Sequence, residues 1–86
     1  MKQFDVEVKV WLKPSVFDPQ GHAVQGALVS LGFQEMGEVR IGKFIQMTIA
    51  AEDEQAAARQ VEDMCQKVLA NPVMETYAFD VKERGQ

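Results

Sequence analysis

From Phe4 to Leu12 apolar and polar residues alternate: Phe4, Val6, Val8, Val10 and Leu12 fall on one side, Asp5, Glu7 and Lys9 on the other. A period of two with β-branched residues predicts a half-buried strand. Trp11 sits on its polar side, where a large apolar ring with one donor suits a position beneath another surface. A helix is expected next, with Asp18 as its N-cap and Pro19 at its first position. Val24, Ala27, Leu28 and Leu31 follow at i, i+3, i+4 and i+7, and Gly32 supplies the C′ residue. Gly26, inside this helix, costs about 1 kcal/mol against Ala; it is either a tolerated weakness or a point of close backbone packing.

The middle of the chain has two readings. Val39, Ile41, Ile45, Met47 and Ile49 share odd parity. A hairpin with a three-residue loop over Gly42, Lys43 and Phe44 keeps them on one face. One long strand bent at Gly42 does so too, and would let its two halves dock on a second copy of the chain as a segment swap. Glu52, Asp53 and Glu54 then crowd the start of a second helix, where the dipole favours anions. Its expected buried stripe is Ala57, Val61, Met64, Cys65 and Val68, and Asn71-Pro72 stops it, with Asn71 expected in the left-handed region. A last strand is expected from about Val73 to Lys82, with Tyr77, Phe79 and Val81 inward, before a polar tail from Glu83 to Gln86.

Together these elements predict a single α+β domain over residues 1–86. The expected architecture is a ferredoxin-like β-α-β-β-α-β antiparallel sheet with two helices on one face. Two helices cannot cover both faces, so the open face, carrying Trp11 and Phe44, is expected to dimerise, with a segment swap as the variant form.

Size and charge restrict the function classes. Eighty-six residues make one small domain with little room for an internal substrate cleft. Nine Lys and Arg against thirteen Asp and Glu leave a net charge of −4. No cationic cluster is present to release counterions from a phosphate backbone, so neither nucleic acid nor an anionic membrane is an expected partner. The charged N-terminus does not resemble a signal peptide, and no stretch approaches the roughly 18 apolar residues of a membrane span. A lone Cys65 cannot form an internal disulfide. The expectation is a soluble cytoplasmic protein.

Catalytic groups are sparse. Cys65 lies on an apolar helix stripe, where a thiol is ordinarily inert filler, and the single histidine, His22, lacks the companions of a metal site. Two features stand out instead. Arg40-Ile41-Gly42-Lys43 sets two cations around a glycine that admits another backbone; they either guard a strand edge or dock a carboxylate or phosphate of a partner. Glu75 shares the parity of the inward residues and, if it faces the core, needs a cationic or amide partner. An RNA-recognition domain would be basic, and an acylphosphatase would carry an arginine in the loop Lys13–Pro19, which has none. A regulatory module of the ACT type, binding a small effector at a dimer interface, remains as the alternative.

Lys13-Pro14, Asp18-Pro19-Gln20-Gly21, Ala23-Val24, Ala27-Leu28, Val39-Arg40-Ile41-Gly42-Lys43 and Leu69-Ala70-Asn71-Pro72-Val73, with Glu75 and Tyr77, resemble the PurS family across nearly the whole chain. PurS is the small subunit of phosphoribosylformylglycinamidine (FGAM) synthase, a glutamine-dependent, ATP-consuming ligase of purine biosynthesis. The resemblance implies a non-catalytic subunit that forms homo-oligomers, bridges the glutaminase PurQ and the synthetase PurL, and assists ammonia transfer between them. It also implies that this chain binds no cofactor, since ATP and magnesium belong to the large subunit. The residues expected at partner interfaces are Arg40, Gly42, Lys43, Asp18, Asn71, Trp11 and Glu75.

Overall fold

The structure, a computed structural model, describes residues 1–85. In chain order it consists of β1 (Lys2–Leu12), α1 (Pro19–Ser30), β2 (Gly42–Ala51), α2 (Glu54–Met64), a π-helical turn (Cys65–Leu69) that continues α2, and β3 (Glu75–Glu83). The strands form one sheet in the order β2-β1-β3, with β1 antiparallel to both neighbours.

The alternation in β1 dictates where the core lies. Phe4, Val6, Val8 and Val10 are at most 1% exposed. Val8 stands opposite Ile45 and Phe79, and Val6 opposite Met47 and Val81. Asp53 caps α2 by accepting the Ala56 N–H at 2.8 Å, and Ala57, Val61 and Cys65 from the helix close the core. Burying each of these valines contributes about 1.5–3 kcal/mol relative to exposure.

Val68 was expected on that stripe and is exposed. The cause is the π turn, in which the Ala70 N–H donates to the Cys65 carbonyl at 3.0 Å. One residue more per turn rotates Val68 outward and brings Leu69 against the core and Ala70 into it. Asn71, expected in the left-handed region, does not adopt it, because no non-glycine residue has positive φ among those described. It makes an Asx turn instead, its Oδ1 accepting the Val73 N–H at 3.0 Å.

The middle segment contributes one strand. Pairing between β1 and β2 ends at Trp11 with Gly42; residues 37–41 remain outside the sheet, and the Ile41 N–H donates to Asp18 rather than to a strand partner. The sheet therefore has three strands where four were expected, and parity is preserved without a hairpin.

The helices are placed unequally. α1 starts at its Asp18 cap and ends as expected: Gly32 has φ 104°, and the Phe33 N–H donates to the Leu28 carbonyl at 3.1 Å, a Schellman closure. Yet Gly21 is the only buried residue of α1. Val24 and Val29 are exposed, and Leu31 is 75% exposed. Only α2 covers the sheet. The radius of gyration, 16.7 Å, against about 12 Å for a compact chain of this length, reflects this outlying helix. Among the described residues nothing would lie within 4 Å of a Cβ at Gly26, so they make no close packing at that glycine.

Because the core is one strand wide, its centre should be its most sensitive point. Val8→Ala is expected to cost about 2–3 kcal/mol from lost transfer energy plus a cavity, whereas Glu7→Ala on the open face should stay within about 0.5 kcal/mol. Urea denaturation of the two variants checks the contrast.

Candidate functional site

The residues singled out from sequence gather at one end of the sheet, where β1 ends and β2 begins. Trp11 pairs with Gly42 on β2 and Thr76 on β3, and Leu12 pairs with Glu75. A groove of about 360 Å³ opens there, lined by Trp11, Asp18, Gly42, Lys43 and Glu75. Gly42 is required, because a Cβ would press on the Val10 carbonyl and on Trp11.

Asp18 is the most committed side chain of the group. Its Oδ1 accepts the Gly21 N–H at 2.9 Å and its Oδ2 accepts the Ile41 N–H at 2.8 Å. It is 5% exposed. The two backbone donors, with the Arg40 guanidinium adding a smaller attraction, hold its carboxyl below the usual aspartate value against an opposing effect of burial. Sequence showed the cap but not the second bond, which joins α1 to the segment entering β2.

Arg40 lies behind this contact. Its Nη2 donates to the Lys13 and Val16 carbonyls, both at 2.9 Å, and more weakly to that of Leu12 at 3.4 Å. Its Nη1 meets Glu38 Oε2 at 3.4 Å. The guanidinium thus gathers the β1–α1 loop, and its donors are engaged within the chain rather than presented to a partner.

Lys43, Glu75 and Asn71 form a second cluster. Glu75 Oε1 accepts the Asn71 N–H at 2.8 Å and lies 3.9 Å from Lys43 Nζ. Glu75 therefore has both a cationic and an amide partner, either of which would have met the condition set for a core-facing carboxylate. Lys43 Nζ also donates to the Leu69 carbonyl at 3.2 Å. Lys13, overlooked in the sequence, ties the groove's rim together: its N–H donates to the Met74 carbonyl at 2.8 Å and its Nζ to that of Pro72 at 3.0 Å. Lys13-Pro14 was noted only as part of a pattern, and no residue-level signal marked these bonds.

Trp11 is 37% exposed on the open face. Phe44, also exposed, stands opposite Lys9, next in register along that face. Farther along, Asp5, Glu7, Gln46, Thr48 and Asp80 make the open face polar. Its apolar part is thus confined to the groove's end. Cys65 is buried, and burial first, then the nearby Glu62 carboxylate, push its thiol up, which suits filler rather than a nucleophile. No group of three potential metal ligands occurs among the described residues, and no helix among them is long and apolar enough to cross a membrane.

A group with a lowered folded pKa contributes stability that is complete above its unfolded value and is lost as pH falls through the folded one. For Asp18 that loss lies below 3.8. Asp18→Asn, which turns an acceptor into a donor facing a backbone N–H, should melt below the parent at neutral pH. The two melting temperatures should converge as pH is lowered past 3.8; a constant gap across thermal melts would contradict the role given to this carboxylate.

A family model described as PurS, phosphoribosylformylglycinamidine (FGAM) synthase, matches residues 5–83. The PurS subunit of Bacillus subtilis is 48% identical over 80 residues, covering 93% of this chain and 94% of the relative. That of Synechocystis is 45% identical over 78 residues, covering 91% and 78% respectively. Among solved structures, B. subtilis PurS superposes with a TM-score of 0.81 over 93% of this chain and 99% of that one, at 48% identity. A chain in the structure of PurLQS from Thermotoga maritima superposes with a TM-score of 0.86 over 94% and 99%, at 28% identity. Sequence likeness over nine-tenths of the chain, joined to the same three-stranded fold, shows that the chain belongs to the PurS family of FGAM synthase subunits.

Proposed function

We propose that this chain is the non-catalytic coupling subunit of an FGAM synthase in purine biosynthesis. In this role it self-associates, bridges a PurQ-type glutaminase to a PurL-type synthetase, and helps keep ammonia from solvent as it passes between them. ATP and magnesium are assigned to the large subunit. The observation that carries the reading is the apolar surface that one protomer leaves without a partner.

That surface has two matching parts. α1 presents Val24, Val29 and Leu31 to solvent, and an isolated helix of 12 residues is marginal in water without packing. The sheet flanks, Ile45 and Met47 on β2 and Phe79 and Val81 on β3, are only partly buried. Each part is what the other lacks, and a second copy supplies both. Residues 37–41, which lie outside the sheet, suit the segment swap allowed by the sequence. Trp11 and Phe44 on the open face then remain for the larger subunits.

Ammonia reaching bulk water is protonated and ceases to be a nucleophile, so the two active sites must be joined by a dry contact. A small oligomer fitted between larger enzymes serves as that seal. Both cations have partners within the chain, but the Lys43 side chain is 55% exposed against 23% for Arg40, so the docking role assigned to the cation pair passes mainly to Lys43, with Trp11 as the central apolar anchor.

Trp11→Ala should weaken assembly with the two larger subunits by about 30-fold, the scale of an aromatic hot spot of about 2 kcal/mol. Lys43→Ala should have a smaller effect and leave the fold intact, its exposed ion pair contributing at most about 1 kcal/mol. In the reconstituted complex, glutamine-dependent FGAM formation should fall in both variants while formation from added ammonia persists. Assembly and glutamine-dependent activity that survive both changes would refute the interface assignment; a metabolite that raises the melting temperature of the isolated chain would favour the ACT-like alternative.

A further inference from the structure

Among the described residues, α1 is fixed to the rest of the chain at its first turn. Asp18 bonds Gly21 within the helix and Ile41 at the entrance to β2. Gly21 lies so close to the Val39 carbonyl that any Cβ there would collide with it. Arg40, between those two backbone contacts, draws in the Lys13 and Val16 carbonyls of the loop leading to the helix. Phe17 and His22 meet at the same base with their rings tilted, the centroids 5.6 Å apart. Beyond Gly21 no residue of α1 is buried.

We propose that Asp18, Gly21 and Arg40 form a latch that sets the angle of α1 against the sheet, and that this angle determines whether a second copy of the chain can dock on the helix. The proposal rests on the self-association argued above. The leverage is considerable: a helix of 12 residues is about 18 Å long, so a 10° rotation at its base moves its tip by roughly 3 Å. Apolar packing forfeits a quarter to a half of its attraction over a gap of about 0.5–1 Å. The latch is polar and directional, so it holds one angle rather than a range. Its residues are positioning residues: the surface they control is the stripe through Val24 and Leu31.

Gly21→Ala separates this role from ordinary helix stability because the two predict opposite signs. Ala is the better helix former, so if the latch were unimportant the variant would keep or improve the protection of α1 amides and leave association unchanged. With the latch, the added Cβ pushes α1 off Val39 and the dimer dissociation constant rises about 10-fold or more in sedimentation equilibrium, while β1 amides stay protected from hydrogen exchange. Arg40→Gln, which leaves α1 untouched, should produce the same loss. Unchanged association in both variants, or loss of protection throughout β1, would overturn the proposal. If the parent chain proves monomeric, the self-association reading fails; the latch is then judged by residual dipolar couplings, which should report a fixed α1 orientation in the parent and an averaged one in Gly21→Ala.

Discussion

A single helix cannot cover three strands, and the architecture follows from that limit. An α-helix with its side chains is about 10 Å across, and strands lie about 4.8 Å apart, so a helix centred over β1 reaches roughly to the axes of its two neighbours. The burial follows this geometry: Phe4, Val6, Val8 and Val10 of β1 are excluded from solvent, while Ile45, Met47, Phe79 and Val81 on the flanking strands are half covered. The second helix, which could have completed the layer, is held beyond the end of the sheet. The protomer is therefore folded at its centre and unfinished at its margins.

At the end of the sheet, directional polar contacts replace apolar packing. The Asp18 carboxylate bonds backbone groups of both the base of α1 and the entrance to β2, and the Arg40 guanidinium, itself at that entrance, bonds two carbonyls of the β1–α1 loop, so the three segments are joined. Charge-assisted bonds to backbone groups are stronger than neutral ones and are fixed in direction. They suit a junction with too little side-chain volume to define an angle by packing. Glu75 performs a smaller version of the task across the groove, linking the turn at Asn71 to Lys43.

Much of this was legible in the sequence where local chemistry decides the outcome. The alternation through Val6, Val8 and Val10, the cap at Asp18, the stop at Gly32 and the helix stripe from Ala57 to Cys65 are set by residues within a turn or two of one another. Parity marked Glu75 as a residue that would need a partner if it faced the core, without deciding whether it did. What escaped depends on groups distant in sequence or on a single inserted residue. The π turn moves Val68 outward without altering the composition of the stripe. Arg40 reads as a free cation until the Lys13 and Val16 carbonyls are brought to it. The stripe on α1 was visible in Val24 and Leu31, but periodicity identifies an apolar face without saying whether the chain itself or another molecule covers it.

That ambiguity bears on the coupling role. A small domain with a complete core has a stability that does not depend on its partners. One that leaves a helix and two sheet flanks half covered gains stability by mass action when a surface that fits them is present. For a subunit proposed to seal the path between two enzymes, such incompleteness ties the ordering of its binding surface to assembly. α1 is then ordered most firmly where it is covered, and binding bears the entropy of ordering it there. A rigid, fully covered protomer would bind without that entropic cost, but it would present the same sealing surface whether or not its partners were in place.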